Sequence, residues 1–286
     1  METLKNEFLE IAISAHGAEL CSILCSGQEY LWNADPQYWK RHSPVLFPIV
    51  GSVWDGTFRV NGRSYKMSQH GFARDMDFTP VSKTADSIVY ALESNEETLE
   101  KYPFPFRLEI GYRIEGKSVY VGWKVINTGA GPLPFQIGAH PAFYYPDFNP
   151  DSPDRGSFTL EGSDDLEYIL IGSKGCADIS KRHPCGRNIQ ITPSLFDADA
   201  LIFDRSQVKK VTLNAPDGRP WLALAFNAPL VGLWSPVGKN APFVCIEPWW
   251  GRCDRVGYKG DFIDRDEVNI LVPRESFSVS YQIEIL

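Results

Sequence analysis

Residues 107–125 read RLEIGYRIEGKSVYVGWKV, a run of alternating apolar and polar side chains. On both sides of Glu115-Gly116-Lys117, apolar residues alternate with polar or small ones, which is typical of an antiparallel hairpin of two long strands. Its apolar face contains Leu108, Ile110, Tyr112, Ile114, Val119, Val121, Trp123 and Val125. Because such a face must be covered by a second apolar surface, the stretch predicts two sheets packed against each other.

The rest of the chain also has the pattern of β-strands. Residues 57–60 and 64–67 flank Asn61-Gly62, a strong hairpin signal, and residues 276–285 alternate cleanly between apolar and polar. There is no helical periodicity over ~10–12 residues, no glycine-rich phosphate loop and no repeat. We expect residues 1–286 to form a single all-β, antiparallel domain. The polar residues 173–187 are predicted to form a surface excursion.

The composition of the chain indicates which kinds of partner and which cellular compartment to expect. A net charge of −8 argues against nucleic acids and anionic membranes, which need a basic face. No apolar run approaches the ~18–20 residues of a membrane span, and the N-terminal residues lack a secretory pattern. We therefore expect a cytoplasmic protein whose six cysteines stay reduced. Their spacing predicts neither a paired zinc knuckle nor a disulfide framework, and no metal is expected.

Residues 244–251, VCIEPWWG, place a carboxylate between an apolar run and two tryptophans. Since Pro248 cannot donate to a β-ladder, the strand is predicted to end at Glu247. Partial burial of Glu247 would raise its pKa from ~4.3 towards the range of a general base. Trp249 and Trp250 would offer flat faces for the apolar side of a pyranose. The structural alternative is a solvated strand-end acid beside two core tryptophans.

Further titrating residues fall at strand ends or turns. They are His70 in residues 69–75 (QHGFARD), His140 in residues 138–143 (GAHPAF) and Asp204 after the apolar residues 200–203. Each has a plain structural explanation when taken alone. Together they indicate a site, because functional side chains concentrate where a rigid scaffold meets its loops.

Four motifs in order resemble the aldose 1-epimerase family of galactose mutarotase-like proteins. They are residues 46–51 (LFPIVG), 69–75 (QHGFARD), 138–143 (GAHPAF) and 244–249 (VCIEPW), and the resemblance covers nearly the whole chain. It implies a galactose mutarotase-like β-supersandwich that holds a sugar on its concave sheet. The implied activity is that of a cofactor-independent isomerase, which interconverts the α and β anomers of an aldohexose or a hexose phosphate.

The resemblance also implies roles for individual residues. His140 is similar to the family's general acid, Glu247 to its general base, and His70 to a second histidine near the ring oxygen. Arg74 and Asp204 look like contacts to substrate hydroxyl or anionic groups, and Trp249 like a substrate-binding surface.

The chemistry suits a histidine and a glutamate independently of the family. Opening the ring requires removal of the proton from the C1 hydroxyl and protonation of the ring oxygen, so one base and one acid suffice. We expect the donor at His140 and the acceptor at Glu247 to face each other across a gap that fits one pyranose. The carboxylate should keep the histidine protonated.

One departure from the family pattern concerns the substrate. Ser52 stands where many relatives have an arginine, so Arg74 or Arg252 would have to supply the positive charge. Two other functions stay open: a non-catalytic sugar-binding or sensing protein, and a glycoside hydrolase. The hydrolase would use Asp204 and Glu247 as carboxylates ~5–5.5 Å or ~6.5–9.5 Å apart. The expected partner is a small-molecule sugar, and the chain is expected to be a monomer or homodimer.

Overall fold

The computed structural model describes residues 1–286, and nearly all of its regular structure is β-strand. One α-helix, α1, spans Glu96–Lys101, and short 3₁₀ helices span Trp54–Gly56, Ala73–Asp75, Ser173–Gly175 and Phe262–Asp264. No helix is long and apolar enough to cross a membrane. The strands in chain order are β1 Glu2–Lys5, β2 Leu9–Ile13, β3 Leu20–Cys25, β4 Gln28–Glu29, β5 Val45–Leu46, β6 Thr57–Val60, β7 Arg63–Lys66, β8 Thr79–Lys83, β9 Ser87–Glu93, β10 Phe106–Glu115, β11 Ser118–Asn127, β12 Leu133–Phe135, β13 Ile137–Ala139, β14 Ala142–Tyr144, β15 Ser157–Gly162, β16 Leu166–Ile171, β17 Ala177–Cys185, β18 Asn188–Gln190, β19 Leu201–Phe203, β20 Val208–Asn214, β21 Pro220–Phe226, β22 Leu230–Trp234, β23 Phe243–Trp250, β24 Asn269–Leu271 and β25 Ser276–Ile285.

Two large antiparallel sheets dominate the architecture. The first has nine strands in the order β18-β15-β20-β21-β25-β11-β10-β9-β8. The second has the order β17-β16-β19-β22-β23-β13-β5, and β14 also pairs with β23. A four-stranded sheet, β1-β2-β3-β4, and the two-stranded sheets β12-β24 and β6-β7 complete the fold.

The long hairpin predicted from residues 107–125 is confirmed. β10 and β11 pair so that Ile110 lies opposite Trp123 and Tyr112 opposite Val121, and these side chains are buried. The apolar face of the hairpin belongs to a core cluster of 62 buried residues, which includes side chains from Leu4 to Ile285. The all-β, antiparallel class is therefore confirmed, whereas the single domain over residues 1–286 stays a prediction.

The prediction of a surface excursion at residues 173–187 was wrong. Ala177–Cys185 form β17, a nine-residue strand that pairs with β16. Because β17 is the edge strand of its sheet, most of its side chains are exposed or half-buried. Its sequence therefore lacks the apolar alternation by which a strand is recognised.

The prediction that β23 ends at Glu247 was also wrong, since the strand continues through Pro248 to Trp250. The backbone N–H of Ile246 points towards the β13–β14 connection, where it donates to the carbonyl of Pro141 at 3.3 Å. In a strand the N–H groups of residues two apart point to the same side. The nitrogen of Pro248 therefore also points towards the connection between β13 and β14. The β-ladder is interrupted there, so the missing N–H of Pro248 costs no hydrogen bond between strands.

The two faces of β23 have different environments. Val244, Ile246 and Trp250 belong to the main core cluster. Cys245, Glu247 and Trp249 alternate with them and therefore project from the opposite face of the sheet. This alternation places the glutamate and the tryptophan side by side, away from the main core.

Candidate active site

The floor of the site is the indole ring of Trp249, which lies across the two strands that flank β23. Trp249 pairs with Gly138 of β13, and Gly232 of β22 pairs with the nearby Glu247. A Cβ atom at Gly138 would lie 2.6 Å from Cδ1 of Trp249, and one at Gly232 would lie 2.5 Å from Cη2. These atoms are at opposite ends of the indole, so both glycines are needed for the ring to lie flat. Its Nε1 donates to the carbonyl of Ala139 at 3.1 Å, which fixes the ring.

His140 and Glu247 lie next to each other at one side of this floor. His140 occupies the break between β13 and β14, both of which pair with β23, and this brings its ring to the glutamate. Nε2 of His140 lies 3.3 Å from Oε2 of Glu247, and the two residues are 7% and 1% exposed. A sugar ring does not fit into 3.3 Å, so the prediction of a pyranose-sized gap between them was wrong. A substrate must lie over the pair.

Two buried polar atoms of this pair have no hydrogen-bond partner. They are Nδ1 of His140 and Oε2 of Glu247, whose contact with Nε2 is not aligned as a hydrogen bond. Most buried polar atoms in proteins are hydrogen-bonded, and exceptions call for an explanation. Atoms of a bound ligand would provide the missing partners.

Aromatic rings hold His140 in place. Trp39 stacks on it with ring centroids 4.7 Å apart, and Trp234 contacts it edge-on at 5.3 Å. His70 is also edge-on, at 5.4 Å. The imidazole is thereby confined to one orientation against Glu247, and water is largely excluded from the pair.

The pKa values of the pair are displaced in opposite directions. Burial, reinforced by the negative charge of Asp199, raises the pKa of Glu247 well above its ordinary range. Burial, reinforced by the positive charge of Arg74, lowers the pKa of His140 to about 3. The raised pKa of Glu247 agrees with the sequence prediction. The lowered pKa of His140 does not, because burial outweighs the expected influence of the carboxylate.

His70 is held as a neutral hydrogen-bond donor. The backbone N–H of Gly51 donates to its Nδ1 at 3.0 Å, so the ring proton of the neutral imidazole resides on Nε2. Burial, followed by the positive charge that His140 would carry, keeps the pKa of His70 well below 6.5. His70 therefore presents an N–H group to the site.

His70, His140, Glu247 and Trp249 line a cavity of about 530 Å³, which is within the ~300–1,000 Å³ range of small-molecule sites. Lys40, Arg41 and Arg74 form a cationic rim on one side. Arg41 donates to Oδ1 of Asp75 at 2.7 Å, and Arg74 donates to the carbonyl of Gln69 at 2.7 Å. Nε of Arg74 is buried without a partner. Burial and the charge of Arg41 lower the pKa of Arg74 to about 10, so its guanidinium stays charged at neutral pH.

The cavity brings together five of the six predicted site residues, His70, Arg74, His140, Glu247 and Trp249. Asp204 does not line it. Both carboxylate oxygens of Asp204 accept hydrogen bonds from Arg182 at 2.9 Å, and the residue is only 7% exposed. This pairing gives Asp204 a structural explanation, and the hydrolase alternative loses the Asp204–Glu247 carboxylate pair on which it was based.

Neither Arg252 nor Ser52 lines the cavity. The guanidinium of Arg252 is buried and donates to Asp266 at 2.8 Å. Of the two arginines considered as replacements for the one missing at Ser52, only Arg74 reaches the site.

Sequence reasoning missed Trp39, Lys40, Arg41, Asp199 and Trp234, all of which line the cavity. Three of them precede β5 in a segment without regular strand structure, and Asp199 lies in a turn before β19. No local pattern marks such residues, because only the long-range pairing of strands brings them to the site. Only Ala200 separates Asp199 from the apolar strand β19, and this was the only available signal.

Solved structures with the same fold are galactose mutarotase-like. A galactose mutarotase related enzyme from Lactobacillus acidophilus superposes with a TM-score of 0.94 at 32% identity, covering 100% of this chain and 97% of that one. A galactose mutarotase-like protein from Lactobacillus casei ATCC 334 also gives a TM-score of 0.94, at 29% identity and full coverage of both chains. The predicted galactose mutarotase-like fold is thus confirmed.

Comparison of the sequence with known families and proteins identifies the family of the chain. The family model described as aldose 1-epimerase matches residues 2–260. The plasmid-encoded protein LacX of Lactococcus lactis subsp. lactis is 33% identical over 299 aligned positions, which cover 99% of this chain and 98% of LacX. The chain belongs to the aldose 1-epimerase family.

Proposed function

We propose that the protein is a cofactor-independent aldose 1-epimerase that interconverts the α and β anomers of a hexose or a hexose phosphate. The observation that carries the proposal is the buried contact between Nε2 of His140 and Oε2 of Glu247 in the wall of the cavity. Family membership supports the same reaction class.

The close approach of the two groups suits the geometry of the reaction. The hydroxyl that loses a proton and the ring oxygen that gains one are both bonded to C1. An acid and a base that act on two oxygens of one carbon must lie side by side. A separation of 3.3 Å between His140 and Glu247 meets this requirement, whereas a gap as wide as a sugar ring would not.

The pair also has the right number of protons at neutral pH. The raised pKa of Glu247 and the lowered pKa of His140 mean that the two side chains share one titratable proton. These pKa values place the proton on Glu247 before the sugar binds. Once it has passed to Nε2 of His140 across the 3.3 Å contact, Glu247 accepts the proton of the C1 hydroxyl while His140 protonates the ring oxygen. The ring opens, the C1–C2 bond rotates, and the reverse transfers close the ring on the other face of the aldehyde.

His70 and Trp249 complete the proposed site. The N–H at Nε2 of His70 would donate to the ring oxygen region of the sugar, where negative charge develops as the C1–O bond breaks. The indole of Trp249 would support the apolar face of the pyranose.

The cationic rim bears on the class of substrate. Lys40, Arg41 and Arg74 give one side of the cavity a positive charge, although the whole chain has a net charge of −8. Arginine binds phosphate well because its guanidinium presents several N–H groups in one plane. The rim therefore favours a sugar with an anionic group over a free hexose.

Anomer-exchange NMR on free hexoses and hexose 6-phosphates tests the proposal. Glu247→Gln and His140→Ala should each slow the catalysed exchange by ~10²–10⁴-fold, the typical contribution of one positioned acid or base. His183→Ala is the matched control, since His183 stacks on Tyr168 and does not line the cavity. It should exchange anomers at the wild-type rate.

Thermal unfolding of each variant shows whether it is folded. If the wild-type protein binds a sugar and yet leaves its anomers exchanging at the buffer rate, the epimerase proposal fails. The non-catalytic sugar-binding or sensing function would then replace it.

A further inference from the structure

A second cluster of metal-ligating side chains lies outside the cavity, where the four-stranded N-terminal sheet meets the segment before β5. It contains Glu19, Cys21 and His42, whose ligand atoms all lie within 4.8 Å of one another. None of the three lines the cavity. The cluster therefore has no part in the proposed epimerase reaction.

Glu19 directly precedes β3, and Cys21 lies at a β-bulge at the start of the pairing of β3 with β2, where the Cys21 thiol lies 3.2 Å from the carbonyl of Glu19. Oε1 of Glu19 accepts hydrogen bonds from the backbone N–H groups of His42 and Ser43, both at 2.9 Å. These two bonds fix the carboxylate and bring the backbone at residue 42 against it. The cluster is thus built by the fold and does not depend on mobile surface side chains.

The remaining atoms are spaced for an ion. Oε2 of Glu19 lies 3.8 Å from Nδ1 of His42, which is too far for a hydrogen bond, and that buried nitrogen has no partner. Ligand atoms ~2.0–2.2 Å from a tetrahedral zinc ion are separated from each other by roughly 3.3–3.6 Å. The observed spacing is close to the geometry of two ligands around zinc.

Cys21 supplies the third ligand. Its thiol is free and partly exposed, and it donates to the carbonyl of Glu19 at 3.2 Å. Although burial lowers it, interaction with Cys21 and Glu19 raises the pKa of His42 to about 9, so both the thiol and the imidazolium lose a proton to solvent on metal binding. The thiolate and carboxylate together then balance the two positive charges of the ion. Sulfur, imidazole nitrogen and one carboxylate oxygen favour zinc over magnesium or calcium, which prefer oxygen ligands.

We propose that Glu19, Cys21 and His42 bind one Zn²⁺ ion, with water in the fourth position. The ion would connect the N-terminal sheet to the segment of His42, and the preceding residues Lys40 and Arg41 line the cavity. Zinc would therefore fix the base of the segment that carries the cationic rim. The cysteine spacing gave no sign of this site, because its other ligands are a glutamate and a histidine 21 residues further on.

A cobalt titration of the reduced, chelator-treated full-length protein tests the site directly. Tetrahedral Co²⁺ with a thiolate ligand gives visible d–d bands and a near-ultraviolet charge-transfer band. We expect one Co²⁺ per chain and loss of these bands when Zn²⁺ is added. Cys21→Ser should remove the charge-transfer band. His42→Ala should weaken binding at least as much as the ~10–100-fold that loss of a supporting residue costs.

Two cysteine variants serve as controls. Cys185→Ser changes a thiol that is partly exposed like Cys21 but lies elsewhere. Cys245→Ser removes the thiol near His140 and Glu247, the other place where three ligand atoms approach one another. Both should bind cobalt like the wild type, and near-ultraviolet circular dichroism reports the folding of every variant. Absence of the thiolate band in the wild type, or its loss in Cys245→Ser but not in folded Cys21→Ser, would overturn the proposal.

Discussion

Replacing Gly232 with alanine should displace the indole of Trp249 from the floor of the cavity. The new Cβ would lie 2.5 Å from Cη2 and 2.6 Å from Cζ2 of that ring, whereas carbon atoms pack best at ~3.5–4.0 Å. The ring must therefore move by ~1 Å, and the sheet behind it directs the movement into the cavity. Overpacking of this kind typically costs ~1–3 kcal/mol of stability. A displacement of ~1 Å in a catalytic site costs ~10²-fold in rate.

The assay combines anomer-exchange rates with thermal unfolding of Gly232→Ala. Gly122→Ala is the matched control, because Gly122 also lies within a strand and an added Cβ there would contact only the carbonyl oxygen of Val279, at 3.9 Å. The control should keep its activity and gain up to ~1 kcal/mol, since glycine weakens a strand by about that amount. Wild-type exchange and stability in Gly232→Ala would refute the assignment of Trp249 as a closely packed floor.

The other predictions concern charge and hydrogen bonding. The pKa of His140 is about 3 in the folded protein and ~6.5 in the unfolded chain. Between these pH values only the unfolded chain binds the proton, so the free energy of unfolding should fall as the pH drops through this interval. Chemical denaturation should show a shallower fall for His140→Gln, by up to ~1.4 kcal/mol per pH unit, and an identical profile would contradict the buried neutral state. His70→Phe should lower kcat by ~10²–10³-fold, as loss of a positioned donor does, and His70→Gln should recover part of it. Arg74→Met should raise KM for a hexose 6-phosphate by roughly 10–100-fold while Arg63→Met does not, and equal effects on free hexose would place the anionic group elsewhere.

Much of the fold was accessible from the sequence because its longest strands have one buried face. In β10 and β11, buried side chains alternate with more exposed ones over ten residues each, so both the strand structure and the pairing of the two strands could be predicted. β17 was missed because an edge strand has no buried face to produce the pattern. β23 was cut short at Pro248 because the interruption of the neighbouring ladder depends on strands more than 100 residues away.

The same distinction applies to the site. His140 and Glu247 were predicted because each adjoins an apolar strand within a family motif, and the structure places them together. Their direct contact was not foreseen, since it arises from the break between β13 and β14. Asp204 was assigned to the site on a similar local pattern, yet its partner Arg182 comes from β17, the strand that the sequence concealed.

In the proposed reaction, His140 and Glu247 act as one proton-transfer unit on a sugar. The most direct test is the anomer-exchange rate of Glu247→Gln, of His140→Ala and of the double variant. Residues that act as a unit are strongly non-additive, so the double variant should be no more than a few-fold slower than the slower single variant. A double variant whose loss of rate equals the product of the two single losses, or a single variant that exchanges anomers at the wild-type rate, would show that the two residues do not act as a unit.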